Sequence, residues 1–217
     1  MMTALIRKAA LSAAGAVFAG GMIAGPAAAI AAPESPTTTS VAVAERAGNN
    51  ERQLPVRYEA QPNFYYCGPA AARNALTTMD KHVTQDELAK IMGTTENGTD
   101  SAHLITKALN TTAGTDLYRT VELPDASADD AQTDRLRTDL TRAIDNGRAI
   151  VANIAGTATD TDGDTHSFEG GHYISVTGYR DHGNQAKIAD SADPDKAEYW
   201  ITTEDLADWI ATRGYSA

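Results

Sequence analysis

The sequence has 217 residues, of which 42% are hydrophobic and 22% are charged, a composition that suits one globular domain with a substantial core. The formal net charge of −11 argues against a nucleic-acid partner or a general affinity for anionic membranes, because both require basic patches.

Residues 1–31 have the pattern of a signal peptide. Arg7 and Lys8 form a short positive segment, residues 9–24 are apolar, and the small residues at 27–31 fit the A-x-A pattern of signal peptidase sites. The apolar run is rich in Ala and Gly and too short to anchor well in a membrane. We expect cleavage, which would change the net charge from −11 to −13. The product would be secreted and extracellular, without stable membrane association.

Residues 32–52 are dominated by Pro, Ser, Thr and small side chains, and they show no periodic apolar face. This composition is typical of a disordered linker. We therefore place the folded domain at residues 53–217.

The first half of the domain favours helices. After a short strand at 54–60, helices are predicted at 69–79, at 84–92, at 101–109 and, beyond a strand at 117–121, at 133–146. The second of these has the clearest boundaries, because Thr84 and Glu87 form a capping box and Gly93 can end the helix.

The last third favours strands. Residues 149–154, 173–179, 185–189 and 198–201 are predicted strands, residues 181–184 form a hairpin turn, and residues 203–210 form a closing helix. Helices followed by an antiparallel sheet indicate an α+β domain.

The single cysteine, Cys67, is the candidate nucleophile. Aromatic residues precede it, and Gly68 and Pro69 follow it at the start of a predicted helix. Free N–H groups and the helix dipole at such a position stabilise a thiolate, the form that attacks acyl groups. Gly68 would also let the backbone turn tightly. The other interpretation of Cys67 is a buried structural side chain.

His172 is the best candidate for the general base. It follows Gly170-Gly171 and opens a predicted strand, which would hold it rigidly at the edge of a cleft. The other histidines are expected in loops, in a turn or on a helix surface, and they are His82, His103, His166 and His182.

A carboxylate is needed to orient the imidazole. Asp190 ends the strand that pairs with the His172 strand, although the count from the turn requires a bulge or a small offset to bring the two residues together. Asp193, which precedes Pro194, is the rival, and a turn-forming role is the more ordinary interpretation of Asp193. Six residues before the cysteine, Gln61 offers an amide that can donate to an oxyanion, or that can simply cap the local loop.

These segments together resemble the peptidase C39-like family of papain-like cysteine peptidases. The resemblance covers the chain from about residue 54 onwards and rests on Gln61 with residues 66–71, on residues 171–179, and on residues 188–190. It implies a papain-like fold, with an N-terminal helical part that bears the cysteine at a helix start and a C-terminal antiparallel sheet that bears His and Asp. It further implies that Cys67, His172 and Asp190 are catalytic and that Gln61 assists the oxyanion hole, with no cofactor.

The chain departs from the best-known relatives, which are domains of membrane exporters that cut after a double glycine. From this sequence we expect no transmembrane helix and no nucleotide-binding motif, so the double-glycine substrate does not carry over. Relatives often have Asp-Pro at this point, whereas here Asp190 is followed by Ser191-Ala192-Asp193-Pro194. Asp193 therefore remains an alternative to Asp190 as the third member of the catalytic triad.

The acidic segment 157–169 partly matches a calcium-binding EF-hand loop, with Ala158 in place of the first carboxylate ligand. A solvated acidic loop beside the cleft is the preferred interpretation, and we assign no metal site.

We expect a monomeric cysteine peptidase acting on peptides or proteins. An acyltransferase, a cell-wall amidase or a catalytically silent binding module are the alternatives.

Overall fold

The computed structural model describes residues 50–217. The signal peptide expected at 1–31 and most of the linker expected at 32–52 lie outside the described residues. Arg52 and Gln53 already pair with the sheet, opposite Tyr179 and Gly178.

Most of the helices precede the long antiparallel strands, as expected for an α+β domain. The helices of the described residues are α1 (Cys67–Thr77), α2 (Gln85–Met92), α3 (Ala102–Ala113), α4 (Asp130–Asp145) and α5 (Thr203–Ile210). The strands are β1 (Arg52–Gln53), β2 (Thr120–Glu122), β3 (Ile150–Thr159), β4 (Thr165–Arg180), β5 (Gln185–Ala189), β6 (Glu198–Thr202) and β7 (Gly214–Ser216).

The strands form one antiparallel sheet in the order β2-β7-β3-β4-β5-β6, and β1 also pairs with β4. Helix α1 packs against β4 and contacts α2 and α3, whereas α5 packs against β3. The core between them contains fully buried side chains from the helices and the sheet, including Leu76, Leu88, Ile105, Leu109, Leu136, Leu140, Ile144, Ile150 and Tyr215.

Local signals predicted several elements well. The capping box is present, because the Thr84 hydroxyl accepts from the Glu87 N–H and the Glu87 carboxylate accepts from the Thr84 N–H. Gly93 ends α2 in the left-handed conformation, and β5 and α5 have the expected bounds. The strand expected at 54–60 is wrong, since β1 ends at Gln53 and the Leu54 N–H that follows donates one further hydrogen bond to β4, at Thr177 O. Strand β7 was not expected.

One hydrogen bond fixes α1 on the sheet. The Ser175 hydroxyl in β4 donates to the carbonyl of Ala71 in α1 over 2.7 Å, and Ser175 is fully buried. This contact holds the start of α1, and therefore Cys67, against β4, the strand that carries His172.

Gly68 is required by packing. A Cβ atom at this position would lie 2.6 Å from Thr99 Oγ1 and 3.2 Å from Ile105 Cδ1. Thr99 cannot move freely, because its hydroxyl shares a hydrogen bond of 2.8 Å with Thr94 Oγ1. The absence of a side chain therefore lets the first turn of α1 lie against the loop that ends at Asp100.

We expect Gly68→Ala to lower the free energy of unfolding by about 1–3 kcal/mol, since the new methyl group overpacks the contact with Thr99 and Ile105. Urea denaturation measures the change. Gly170→Ala is the matched control, because no atom lies within 4 Å of a Cβ built at Gly170. An equal loss in both variants would contradict the packing explanation.

Candidate active site

Cys67 is the first residue of α1 and is half-buried. The backbone N–H groups of Gly68 and Tyr173 and the side chain of His172 act on its sulfur, and each of them lowers the pKa of the thiol. The position at a helix start is the one that the sequence predicted. The sulfur therefore lies where helix N–H groups and an imidazole both favour negative charge.

His172 and Asp190 form a buried pair. His172 Nε2 lies 2.7 Å from Asp190 Oδ1, and the two residues are 4% and 3% exposed. Since Asp190 engages Nε2, Nδ1 is the ring nitrogen that remains for the Cys67 thiol. One imidazole thus connects the carboxylate to the sulfur.

A bulge in the sheet brings Asp190 to His172. Strands β4 and β5 pair Val176 with Ile188 and Gly178 with Lys187, so the register shifts by one residue between these pairs. Ser175 then lies opposite Ala189, and Asp190 follows directly. The offset that the sequence count required is therefore a β-bulge in β4.

Asp190 accepts two further hydrogen bonds. The N–H of Ala192 donates to Oδ1 over 2.9 Å, and the Tyr199 hydroxyl donates to Oδ2 over 3.1 Å. Asp193 instead accepts from the N–H of Asp195, in the exposed turn around Pro194. The structure thus brings Asp190 to the imidazole and leaves Asp193 in the turn-forming role that its position before Pro194 suggested.

The charges of the three residues are coupled. Burial raises the pKa of the Cys67 thiol, but the hydrogen bond and positive charge of His172 outweigh it and the pKa is lowered. Burial alone would lower the pKa of His172, whereas hydrogen bonds to Asp190 and Cys67 raise it to about 9. Burial raises the pKa of Asp190, and the His172 contact lowers it overall. Each shift therefore favours the charged form of its group, the thiolate of Cys67, the imidazolium of His172 and the carboxylate of Asp190.

Gln61 is tied to the segment that follows Asp190. Its backbone N–H donates to Ser191 O over 2.9 Å, and its side-chain oxygen accepts from Ser191 Oγ over 3.1 Å. Its amide nitrogen donates to Asn63 O over 2.9 Å, which engages one of its two hydrogens. In the part of the chain that the structure describes, Gln61 is not among the side chains that line the cleft with Cys67.

Cys67 and His172 open onto one cleft of about 250 Å³. The 97–100 loop, Asn153, Gly170-Gly171, Tyr173 and Arg213 complete its lining. The sulfur and the imidazole therefore share a groove that a substrate can enter.

Comparison with known proteins identifies the family. The family model described as the Peptidase_C39 like family matches residues 53–217. The chain belongs to this family. No curated protein sequence matches it.

Among solved structures, a C39-like peptidase from Bacillus anthracis matches with a TM-score of 0.52 and 12% identity, covering 77% of this chain and 97% of the other. The peptidase domain of Streptococcus ComA, a bi-functional ABC transporter, gives a TM-score of 0.49 at 18% identity, covering 76% of this chain and 97% of that domain. The fold shared with the Bacillus anthracis structure is the papain-like fold of C39 peptidases, as the sequence predicted.

The C39-like domain has no helix among its described residues that is long and apolar enough to cross a membrane.

The other histidines have local partners. His82 lies beside Arg57 and Asp80, and His103 lies beside Glu122, in exposed positions. His182 adopts a positive φ of 53° in the turn before β5. His166 differs, since it lies in β4 with an almost fully buried side chain whose Nε2 is 2.9 Å from Asp160 Oδ2. The acidic loop expected around His166 is therefore largely the β3–β4 hairpin.

The carboxylate of Asp160 turns inward at the tip of this hairpin. Its Oδ1 accepts from the N–H groups of Asp162 and Asp164, and its Oδ2 faces His166. Both oxygens are thus occupied by groups of the hairpin itself. No group of three or more His, Cys, Asp or Glu side chains suited to a metal ion occurs within residues 50–217.

Asp190→Asn should slow the alkylation of Cys67 near neutral pH, on the order of tenfold for each unit by which the thiol pKa rises. Without the carboxylate, the pKa of His172 falls from about 9, and the imidazolium that stabilises the thiolate is depleted. The measurement is the rate of reaction with iodoacetamide as a function of pH.

Asp193→Asn is the matched control for this measurement, because Asp193 contacts the turn and not the imidazole. Equal slowing of alkylation in both variants would contradict the conclusion that Asp190 raises the pKa of His172.

Proposed function

We propose that this member of the C39-like family is an exported cysteine peptidase that hydrolyses peptide bonds with Cys67, His172 and Asp190 as its catalytic residues. The observation that carries the proposal is a half-buried thiol and a buried imidazole–carboxylate pair on one cleft, with the pKa of the thiol lowered and that of the imidazole raised. Such a charge arrangement suits nucleophilic acyl transfer at neutral pH.

In the first half of the reaction the Cys67 thiolate attacks the carbonyl carbon of the substrate. The developing oxyanion would receive a hydrogen bond from the backbone N–H of Cys67. Gln61 would be the second donor through the amide hydrogen that Asn63 does not engage, which requires its side chain to turn into the cleft from its contacts with Asn63 and Ser191. His172 carries the proton that the departing amine needs. Transfer of this proton breaks the peptide bond and leaves a thioester on Cys67.

In the second half the neutral imidazole accepts a proton from water, and the resulting hydroxide attacks the thioester. His172 is then positively charged again, and the carboxylic acid product leaves as the thiolate re-forms. Asp190 holds Nε2 throughout, so that Nδ1 faces the sulfur and the reacting atoms.

Peptides are the proposed substrates, and family membership supports this class. The cleft has one carboxylate, Asp100, and one guanidinium, Arg213, at exposed positions. Both groups offer charge recognition of substrate side chains next to the scissile bond. A double-glycine requirement is not part of the proposal.

We expect Cys67→Ala to abolish turnover of a broad peptide pool while the variant keeps its circular dichroism spectrum and unfolding midpoint. The methyl group removes the nucleophile and leaves α1 anchored through Ser175. Mass spectrometry of the digested pool measures turnover, and wild-type protein blocked with iodoacetamide is the chemical control. Full activity of Cys67→Ala would refute the peptidase proposal.

Export rests on the signal-peptide pattern of residues 1–31. We expect the protein recovered from culture medium to begin close to residue 32, as determined by N-terminal sequencing. Replacing Arg7 and Lys8 with acidic residues should reduce its appearance in the medium. Recovery of the uncut chain from the cytoplasm alone would refute export.

A further inference from the structure

A buried polar layer lies behind the His172–Asp190 pair. Tyr199, in β6, is 7% exposed and donates its hydroxyl to Asp190 Oδ2 over 3.1 Å. The ring of His166 stacks on the Tyr199 ring, with centroids 3.8 Å apart and an interplanar angle of 17°. His166 in turn pairs with the buried carboxylate of Asp160. None of these three side chains touches the Cys67 sulfur.

The strand register explains why Tyr199 reaches Asp190. Tyr199 lies opposite Ile188, and the carboxylate of Asp190 follows two residues later on the same face of the sheet. Asp190 Oδ1 already accepts from His172 and Ala192, whereas Tyr199 is the donor that the structure records on Oδ2. The hydroxyl therefore fixes the rotation of the carboxylate about its Cβ–Cγ bond.

The β3–β4 hairpin fixes the Tyr199 ring. The N–H of Thr161 at the hairpin tip donates to the carbonyl of Trp200 over 2.8 Å, which joins the tip to β6. This contact and the Asp160–His166 pair hold the imidazole flat against the phenol ring. On the same hairpin, Phe168 stacks on His172 with centroids 4.1 Å apart.

We propose that Tyr199 is a positioning residue for the reaction, and that the Asp160–His166 pair acts through Tyr199 by holding its ring. The inference rests on the proposed function, because it assigns Tyr199 to the residue that orients the catalytic imidazole. Tyr199 and His166 are not among the described residues that line the cleft with Cys67, so their effect must pass through Asp190.

Several groups that face Asp190 affect its protonation, and a titration of Asp190 would report their combined effect. They are His172 from β4, Tyr199 from β6, the N–H of Ala192 from the following turn, and Tyr58 from the segment before α1. Tyr199 lowers the pKa of Asp190 by donating to its charged form. Removing the hydroxyl should therefore make Asp190 easier to protonate.

The test uses the Cys67→Ala protein, in which the thiol no longer titrates. The ¹⁵N chemical shifts of His172 report protonation of Asp190 at acid pH, since the two side chains share a hydrogen bond. We expect Tyr199→Phe, which keeps the stacked ring, to move this acid transition to higher pH by about one unit. In the protein with Cys67 intact, the same change should lower kcat/KM about tenfold with little change in KM.

Tyr215→Phe is the matched control. Tyr215 is also buried and donates its hydroxyl to a buried carboxylate, Asp139 Oδ2, over 2.8 Å. It should lose stability to a similar degree and leave the acid transition of His172 in place. A transition unmoved by Tyr199→Phe, or moved equally by Tyr215→Phe, would overturn the proposal.

His166→Ala tests the outer pair. It should move the acid transition in the same direction, and in combination with Tyr199→Phe it should add nothing, because both changes act on one hydroxyl. Additive shifts would show that His166 acts by another route and would overturn that half of the proposal. The titration needs no substrate, whereas the peptidase proposal fails if the Cys67→Ala variant is active. Failure of the Tyr199 proposal can therefore be distinguished from failure of the peptidase proposal.

Discussion

The hydrogen bond between His172 and Asp190 is the interaction on which the site depends. A carboxylate and an imidazolium that are both almost fully buried lose their hydration, and their mutual attraction repays this loss only when further hydrogen bonds satisfy them. Asp190 meets this condition with donors from His172, Ala192 and Tyr199. Phe168 stacks on the imidazole and excludes water from it. The pair is therefore part of a dry, polar network that only the folded sheet assembles.

The pKa shifts of His172 and Cys67 change the stability of the fold with pH in opposite directions. The raised pKa of His172, about 9 in the folded protein against about 6.5 in the unfolded chain, contributes stability that is fully present below the unfolded value and is lost as the pH rises to about 9. The lowered pKa of Cys67 contributes stability that is present above its unfolded value and is lost as the pH falls through its folded value. Because one contribution decreases with rising pH while the other increases, the two together make the fold less sensitive to pH than either group would alone.

Elements with local signals could be predicted from the sequence, and elements set by distant contacts could not. The α2 capping box and the bounds of β5 and α5 depend on neighbouring residues and were predicted. Residues 54–60 have a strand-like pattern, but the side chain of Asn74 accepts from the Glu59 N–H and donates to the Glu59 carbonyl, so α1 replaces a neighbouring strand there. Strand β7 has three residues and is stabilised by pairing with β2 and β3, which no local pattern reveals.

The same distinction separates the inner site from the layer behind it. Cys67 and His172 had local signals, a helix start and a glycine pair before a strand, whereas the choice between Asp190 and Asp193 depended on a bulge in a different strand. Tyr199 had no such signal, because a tyrosine in a short strand is ordinarily a packing residue. Its hydroxyl gains a role only because β6 pairs with β5 in a register that places it diagonally opposite the end of that strand. Residues that support a catalytic pair through the sheet are thus determined by register, a non-local property that composition and spacing along one chain do not encode.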